Sequence, residues 1–397
     1  MSAVRGRLAL LREPGFARVF VARSISAFGT AMTPVALPFA VLEDLGGSAA
    51  DVGWVIAAGS GTQIAVQIFG GALADRGSRQ RQIVRADTLA AAAQAALAAL
   101  LLTGQATLGL AIALQVLIGI AFGLHHPAAT GLVPLVVARE RLQDANALLS
   151  IAHSAALGLG AAAGGFLAAI FGAGVALAVD AASFAGSAIL VAGLVARAQP
   201  RAAAESLWHV LRAGWREFTA HRWLWTIVLQ FTVMLVGWFG TFAVIGPVVA
   251  QRSLGGAAAW GTVAGAYGFG LVAGGFVSLR VHFPRPMLAA TLACFLSTLL
   301  PLLLIAPAPV LAIAAGSFLA GVGTEVFSVL WFTALHTRIA PEALSRVAAY
   351  DAVGSLALVP FGEVLAGLSI EAYGTEPTLW AAAALIFLPT AAVLAVP

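Results

Sequence analysis

Twelve apolar stretches dominate the sequence, at 17–41, 52–74, 83–103, 107–136, 147–170, 174–195, 223–250, 258–280, 287–305, 309–336, 347–370 and 377–396. Each is about 20 residues long or longer, the length a helix needs to cross the hydrocarbon core of a bilayer. Hydrocarbon tolerates only segments that satisfy their own backbone hydrogen bonds, and no strand-period alternation competes with the helical reading. The expected fold class is therefore an all-α integral membrane protein with twelve transmembrane helices. Composition agrees: 61% of the 397 residues are hydrophobic and 10% are charged, where soluble domains carry about 25% charged residues. A soluble enzyme, a nucleic-acid-binding domain and a disulfide scaffold are excluded on that ground. The single cysteine, Cys294, lies in an apolar run and has no second cysteine to pair with. The first stretch reads as a true span: it is long, lacks a small-residue cleavage site and follows the charged segment from Arg5 to Arg18.

All 21 basic residues other than histidine are arginine, and their placement sets the orientation. With the N-terminus inside, inner segments hold every arginine except Arg23, within the first span, and Arg252, in an outer loop. The outer loops carry Glu43, Asp44, Asp51, Glu371 and Glu376. Positive charge accumulates on the cytoplasmic side, so both termini are expected in the cytoplasm and the chain in a bacterial inner (plasma) membrane.

The only long polar interruption, 196–222, separates six spans from six, giving a first bundle over 1–195, a cytoplasmic linker over 196–222 and a second bundle over 223–397. The halves resemble each other. Pro38-Phe39-Ala40-Val41 leading to Leu45-Gly46-Gly47 matches Pro247-Val248-Val249-Ala250 leading to Leu254-Gly255-Gly256. Gly70-Gly71 matches Gly274-Gly275, and Glu140-Arg141-Leu142 matches Glu342-Ala343-Leu344. Order is kept and the offsets are nearly constant, which argues for duplication into two pseudo-symmetric six-helix bundles. An even number of spans per half makes the copies parallel, an arrangement in which secondary transporters bind substrate near the midplane between repeats.

Between spans 2 and 3, Gly71-Ala72-Leu73-Ala74-Asp75-Arg76-Gly77-Ser78-Arg79-Gln80-Arg81 resembles the loop motif of the major facilitator superfamily, with Ser78 where the family usually has glycine. Finer phrases resemble its drug-efflux branch of macrolide-efflux and enterobactin-exporter proteins. They are Pro127-Ala128 with Gly131-Leu132-Val133-Pro134, Asp180-Ala181-Ala182-Ser183-Phe184, and Leu344-Ser345-Arg346-Val347 with Tyr350-Asp351. The resemblance implies a drug:proton antiporter that needs no cofactor, is driven by an ion gradient, and works as a monomer on a small molecule. The rival readings are a facilitated or proton-coupled importer of a small nutrient and, in another class, a membrane receptor or membrane-embedded enzyme. The resemblance also implies a conformational latch at Asp75, Arg76 and Arg79. Gly71 leaves room for close helix approach, and Arg79 and Arg81 are expected to pair with carboxylates on inner helix ends, with Asp87, Asp144 and Asp351 as candidates beside Arg346. In span 5, Gly160, Gly164 and Gly165 resemble the antiporter motif of exporting members, with Ala161 in place of its proline; a small-residue packing face explains them equally.

Ionisable residues inside spans are costly, so each is a candidate for function. Glu325 sits near the middle of span 10, and its half has no basic residue at similar depth. Such a carboxyl holds its charge at a cost and can exchange a proton as its access to water changes. Asp180 in span 6 suits a structural hydrogen bond as well as proton coupling. His125 and His126 point about 100° apart on one helix. They suit cavity lining, a hydrogen bond or substrate contact better than a shared metal. Arg23 lies in the inner third of span 1, where it can also reach headgroups; Glu363 lies in the outer half of span 11. Trp238, Phe239, Phe242, Tyr267, Phe327, Trp331 and Phe332 are candidates for an apolar pocket for an amphipathic or cationic compound, while Trp54 and Trp260, following outer loops, suit the interfacial belt. No phosphate-binding loop, nucleophile elbow or zinc motif is present. Transport is therefore expected to draw on protons, the bilayer and a small molecule, without nucleic acid or metal.

Overall fold

A computed structural model describes residues 9–76, 78–194, 215–306 and 308–395, and all their side chains except those of 68–76, 341, 342, 345, 346 and 349. Among the described residues the chain forms twelve helical spans and no strand. They are α1 (Pro14–Asp44), α2 (Ala49–Arg76), α3 (Arg79–Leu102), α4 (Leu108–Val136), α5 (Leu142–Phe171), α6 (Ala173–Ala192), α7 (Arg222–Leu254), α8 (Ala257–Arg280), α9 (Pro286–Ile305), α10 (Val310–Arg338), α11 (Pro341–Leu356 and Val359–Tyr373) and α12 (Thr375–Val393). Most of the expected linker lies outside the described residues.

Three irregularities in the spans coincide with proline, although Pro127, Pro134 and Pro389 lie inside unbroken helices. Proline lacks an N–H, and its ring meets the carbonyl four residues earlier. Four residues before Pro34 is Thr30, where the first part of α1 stops; four before Pro360 is Leu356, where the first part of α11 stops. Four before Pro301 is Ser297, inside the single 3₁₀ turn of α9.

Two compact units result, one of Met1–Gly47 with Ala58–Ala202, the other of Ser48–Ala57 with Ala203–Pro397. In the first unit α3 packs on α4 and α6, and α1 on α5 and α6; in the second α8 packs on α10, α7 on α12 and α9 on α10. The first turns of α2 belong to the second unit, where the Ala50 N–H donates to the Glu371 carboxylate at 3.0 Å.

The duplicated phrases coincide with duplicated backbone. Ala40–Asp44 and Ala250–Leu254 are both π turns, closed by Gly46 at φ +60° and Gly255 at φ +95°. Gly172 (φ +85°) and Gly374 (φ +87°) join α5 to α6 and α11 to α12, 202 positions apart as are Glu140 and Glu342. A side chain at such φ is strained, so these glycines hold the turns. Close packing repeats too: a Cβ at Gly119 would meet Thr62 of α2 at 2.9 Å, and one at Gly321, again 202 positions on, would lie 3.0 Å from Gly270 of α8.

Candidate functional site

In the first unit the loop motif works as a clamp. Ser78 caps α3, its hydroxyl accepting from the Arg81 N–H at 3.3 Å. The Arg79 guanidinium donates to the Gly131 carbonyl of α4 at 2.8 Å, and a Cβ on Gly131 would lie 2.6 Å from Arg79 Nε. The Gln80 amide donates to the carbonyls of Val191, Ala192 and Leu194 at the C-terminal end of α6, where Val191 also accepts from the Leu194 N–H. Arg18 donates to the neighbouring Gly193 carbonyl. These carbonyls, at the negative end of the helix dipole, suit cationic and amide donors. Gly71 lies within α2, while the side chains of Asp75, Arg76 and Arg346 lie outside the described residues.

The expected pairing of Asp87 with a loop arginine is corrected. Asp87 is 2% exposed and binds the His125 ring, whose Nδ1 donates to Oδ1 at 2.6 Å, while the Ser187 hydroxyl donates to Oδ2 at 2.6 Å. The reason is helical phase: Asp87 lies on the face of α3 that carries Ile83, Ala90 and Gln94 into the unit's interior. Arg81 is exposed and makes no ion pair among the described residues. Arg141 pairs with Glu13 at 2.6 Å. Asp351 accepts from the Trp331 indole N–H at 2.9 Å, not from an arginine among the described residues.

Asp180, 1% exposed, accepts from the Thr33 hydroxyl at 2.7 Å and from the Gln94 amide at 3.0 Å, tying α6 to α1 and α3. Gly160 and Gly164 of α5 press on α1. A Cβ on Gly160 would overlap the Phe28 carbonyl and lie 2.8 Å from Ala31 Cβ, and one on Gly164 would lie 2.7 Å from Met32 Cα. Gly165 is buried in the same helix. Arg23 and His125 line one small cavity with Ala22, Ile83, Ser187 and Val191. His126 lies within electrostatic range of Arg23, and so does His153, which the sequence reading missed. The signal was present, since His153 is an ionisable residue inside the fifth apolar stretch.

In the second unit Glu325 stands 15 residues after Val310 and 13 before Arg338, half-buried against α8. A Cβ on Gly274 would lie 2.8 Å from Glu325 Cβ, so glycine there makes room for the carboxylate's stem. Among the described residues Glu325 makes no hydrogen bond or ion pair, and the half-buried Tyr267 phenol lies within electrostatic range. Aromatic rings of the second unit form two groups, one of which includes Tyr267. Phe231 stacks on Phe327 at 4.2 Å between centroids, and Phe327 on Trp331 at 5.9 Å. Trp238 stacks on Phe242 at 5.5 Å and meets Tyr267 at 5.1 Å. Trp260 does not lie at the interfacial belt. It is fully buried against Gly246 and Phe242, because Gly246 leaves room for its ring; Trp54 is 51% exposed.

The sequence profile of the Major Facilitator Superfamily matches residues 19–282. The chain belongs to this superfamily. It is therefore a multi-pass membrane protein of a transporter family, and its fold agrees with solved transporters. The nucleoside transporter NupG superposes with a TM-score of 0.77 at 11% identity, covering 96% of this chain and 99% of that one. A POT family transporter in complex with 5-aminolevulinic acid gives 0.74 at 12% identity, over 96% and 95%. A bacterial homolog of the human lysosomal transporter Spinster gives 0.66 at 16% identity, over 98% of both chains. No curated protein matches in sequence.

Proposed function

We propose that this transporter exports an amphipathic small molecule, such as a drug or siderophore, across the bacterial inner membrane in exchange for protons, as a monomer with both termini cytoplasmic. The observation that carries the reading is Glu325, a carboxylate at mid-span with no hydrogen-bonding or ionic partner among the described residues, in a unit that also holds two groups of stacked aromatic rings. A lone carboxyl at that depth is a site for a proton. It binds one while shielded and releases it when the site opens to water, and substrate binding and proton binding then alternate. The aromatic groups supply apolar, adaptable contact for the substrate body.

Glu325→Gln fixes the proton-bound form, so the variant is expected to bind substrate but not to accumulate it against a gradient. Inverted membrane vesicles energised by a pH gradient measure this. Uphill extrusion at wild-type rate by Glu325→Gln removes Glu325 as the coupling residue and turns attention to Asp180. Import is the competing reading, favoured by the similarity to structures of a nucleoside transporter and a POT family transporter. Proton-driven uptake into right-side-out proteoliposomes, without efflux from inverted vesicles, supports that reading instead.

A further inference from the structure

Arg23 stands nine residues into α1 from Pro14, roughly 13 Å along the axis. Its guanidinium makes no hydrogen bond or ion pair with any described residue. The two buried carboxylates of its unit are already engaged, Asp87 by His125 and Ser187, Asp180 by Thr33 and Gln94. A charge at membrane depth ordinarily finds an opposite charge or a water-lined cavity. Arg23 faces the small cavity it shares with His125 and Ser187, so its stem runs along the bundle interior and not along the lipid surface.

The helices beside it turn a polar face outward at the same level. In the N-terminal half of α4 the exposed residues include Leu110, Ala113 and Leu117; in its C-terminal half they are His126, Thr130 and Pro134. Nine residues separate Leu117 from His126, a rotation of about 180°. The second set therefore looks away from the apolar face that meets lipid. In the first half of α5, Asn146, Ser150 and His153 are exposed along one face and Ile151 on another, while Leu159, Phe166 and Ile170 are exposed in its second half on a different face from the polar set. His126 and His153 both lie within electrostatic range of Arg23. Three helices thus bring one guanidinium and two imidazoles within electrostatic range of one another, the imidazoles on exposed faces of α4 and α5.

We infer that Arg23, His126 and His153 form an anion-recognition site in the first unit, which takes the carboxylate or phosphate group of a small-molecule substrate. The inference rests on the transport reading above and adds a substrate class to it. Arginine offers a planar fork of donors that matches both groups. Each imidazole offers an N–H donor whether neutral or charged. The Asp87–His125 pair, adjacent in sequence to His126, anchors this part of α4 to α3 and α6.

The test uses the purified full chain in phosphatidylcholine nanodiscs, with thermal unfolding followed against four matched probes: phenylacetate, phenyl phosphate, phenylacetamide and phenethylamine. At least one anion is expected to raise the unfolding midpoint saturably, while the amide and the amine do not. Arg23→Gln is expected to weaken that anion about tenfold or more, with partial recovery in Arg23→Lys. His126→Asn and His153→Asn are each expected to weaken it on the order of threefold. The assignment falls if the amide stabilises as well as the anions, if neither anion stabilises, or if Arg23→Gln leaves the affinity unchanged. It also falls if phosphatidylglycerol alone reproduces the stabilisation and blocks both probes, since a lipid headgroup is then the occupant. Should Arg23→Gln fail to fold, the wild-type preference for anion over amide still decides. Flux measurements separate the two readings. Anion binding that depends on Arg23 without flux of any probe leaves the site and removes the transport reading, whereas probe flux indifferent to Arg23→Gln does the reverse.

Discussion

Removing Asp87 measures how firmly α3, α4 and α6 are tied together. The carboxylate is 2% exposed and accepts two hydrogen bonds, both at 2.6 Å, from His125 and Ser187. Hydrogen bonds between membrane helices couple their partners by only about 0.6 kcal/mol on average, with a maximum of about 1.7. Bonds to a charged group contribute about 1.5–3 kcal/mol. Since His125 is 24% exposed, its ring is not fully shielded, and the lower end of the charged range applies. A double-mutant cycle between Asp87→Ala and His125→Ala is therefore expected to give a coupling of about 1.5 kcal/mol. Asp87→Ala alone strands the Ser187 hydroxyl as well, so its total cost is about 3 kcal/mol. Asp87→Asn, which keeps one carbonyl acceptor, should lose about half of that. Reversible unfolding of the detergent-solubilised protein by dodecyl sulfate, followed by circular dichroism, reads all of these. A coupling at or below about 0.6 kcal/mol refutes the reasoning, because the contact then behaves as an ordinary neutral one.

Gly160→Val forces side-chain atoms into the Phe28 carbonyl and Ala31, where the α1 backbone cannot yield cheaply; it should destabilise the protein by about 1–3 kcal/mol in the same assay. Gly109→Ala, which opens onto free space, should be neutral or slightly stabilising, and equal losses in the two variants would show that the α1–α5 contact is not the cause. Asp75→Asn should slow turnover far more than it weakens substrate binding, because a latch acts on the change of conformation. Unchanged transport rates in proteoliposomes would remove the family role from Asp75.

The twelve spans were legible because each is a local property. Length and apolarity fix a crossing helix whatever it packs against, and Pro34, Pro301 and Pro360 mark their own breaks through the carbonyl four residues back. The turns at Gly46 and Gly255 were legible as repeated phrases for the same reason, since a positive φ is a demand one residue meets alone. Glu325, Asp180, His125, His126 and Arg23 stood out because a polar group in an apolar run is visible without knowing its neighbours.

Partners were not legible. Asp87 lies near a loop rich in arginine, and sequence proximity pointed to an ion pair there; only the packing of α3 on α4 and α6 turned it toward His125 and Ser187, 38 and 100 positions away. Trp260 follows a loop like a belt residue, yet Gly246 receives its ring. The sequence by itself determined how many helices cross and where they begin and end. It left open which face of each helix meets protein, because lipid and protein interiors are about equally apolar and the periodicity that separates core from surface in water loses its contrast in a bilayer. The tertiary structure decided that Asp87 is spent within the first unit while Arg23 and Glu325 have no hydrogen-bonding or ionic partner among the described residues, since those outcomes depend on the rotation of neighbouring helices about their axes.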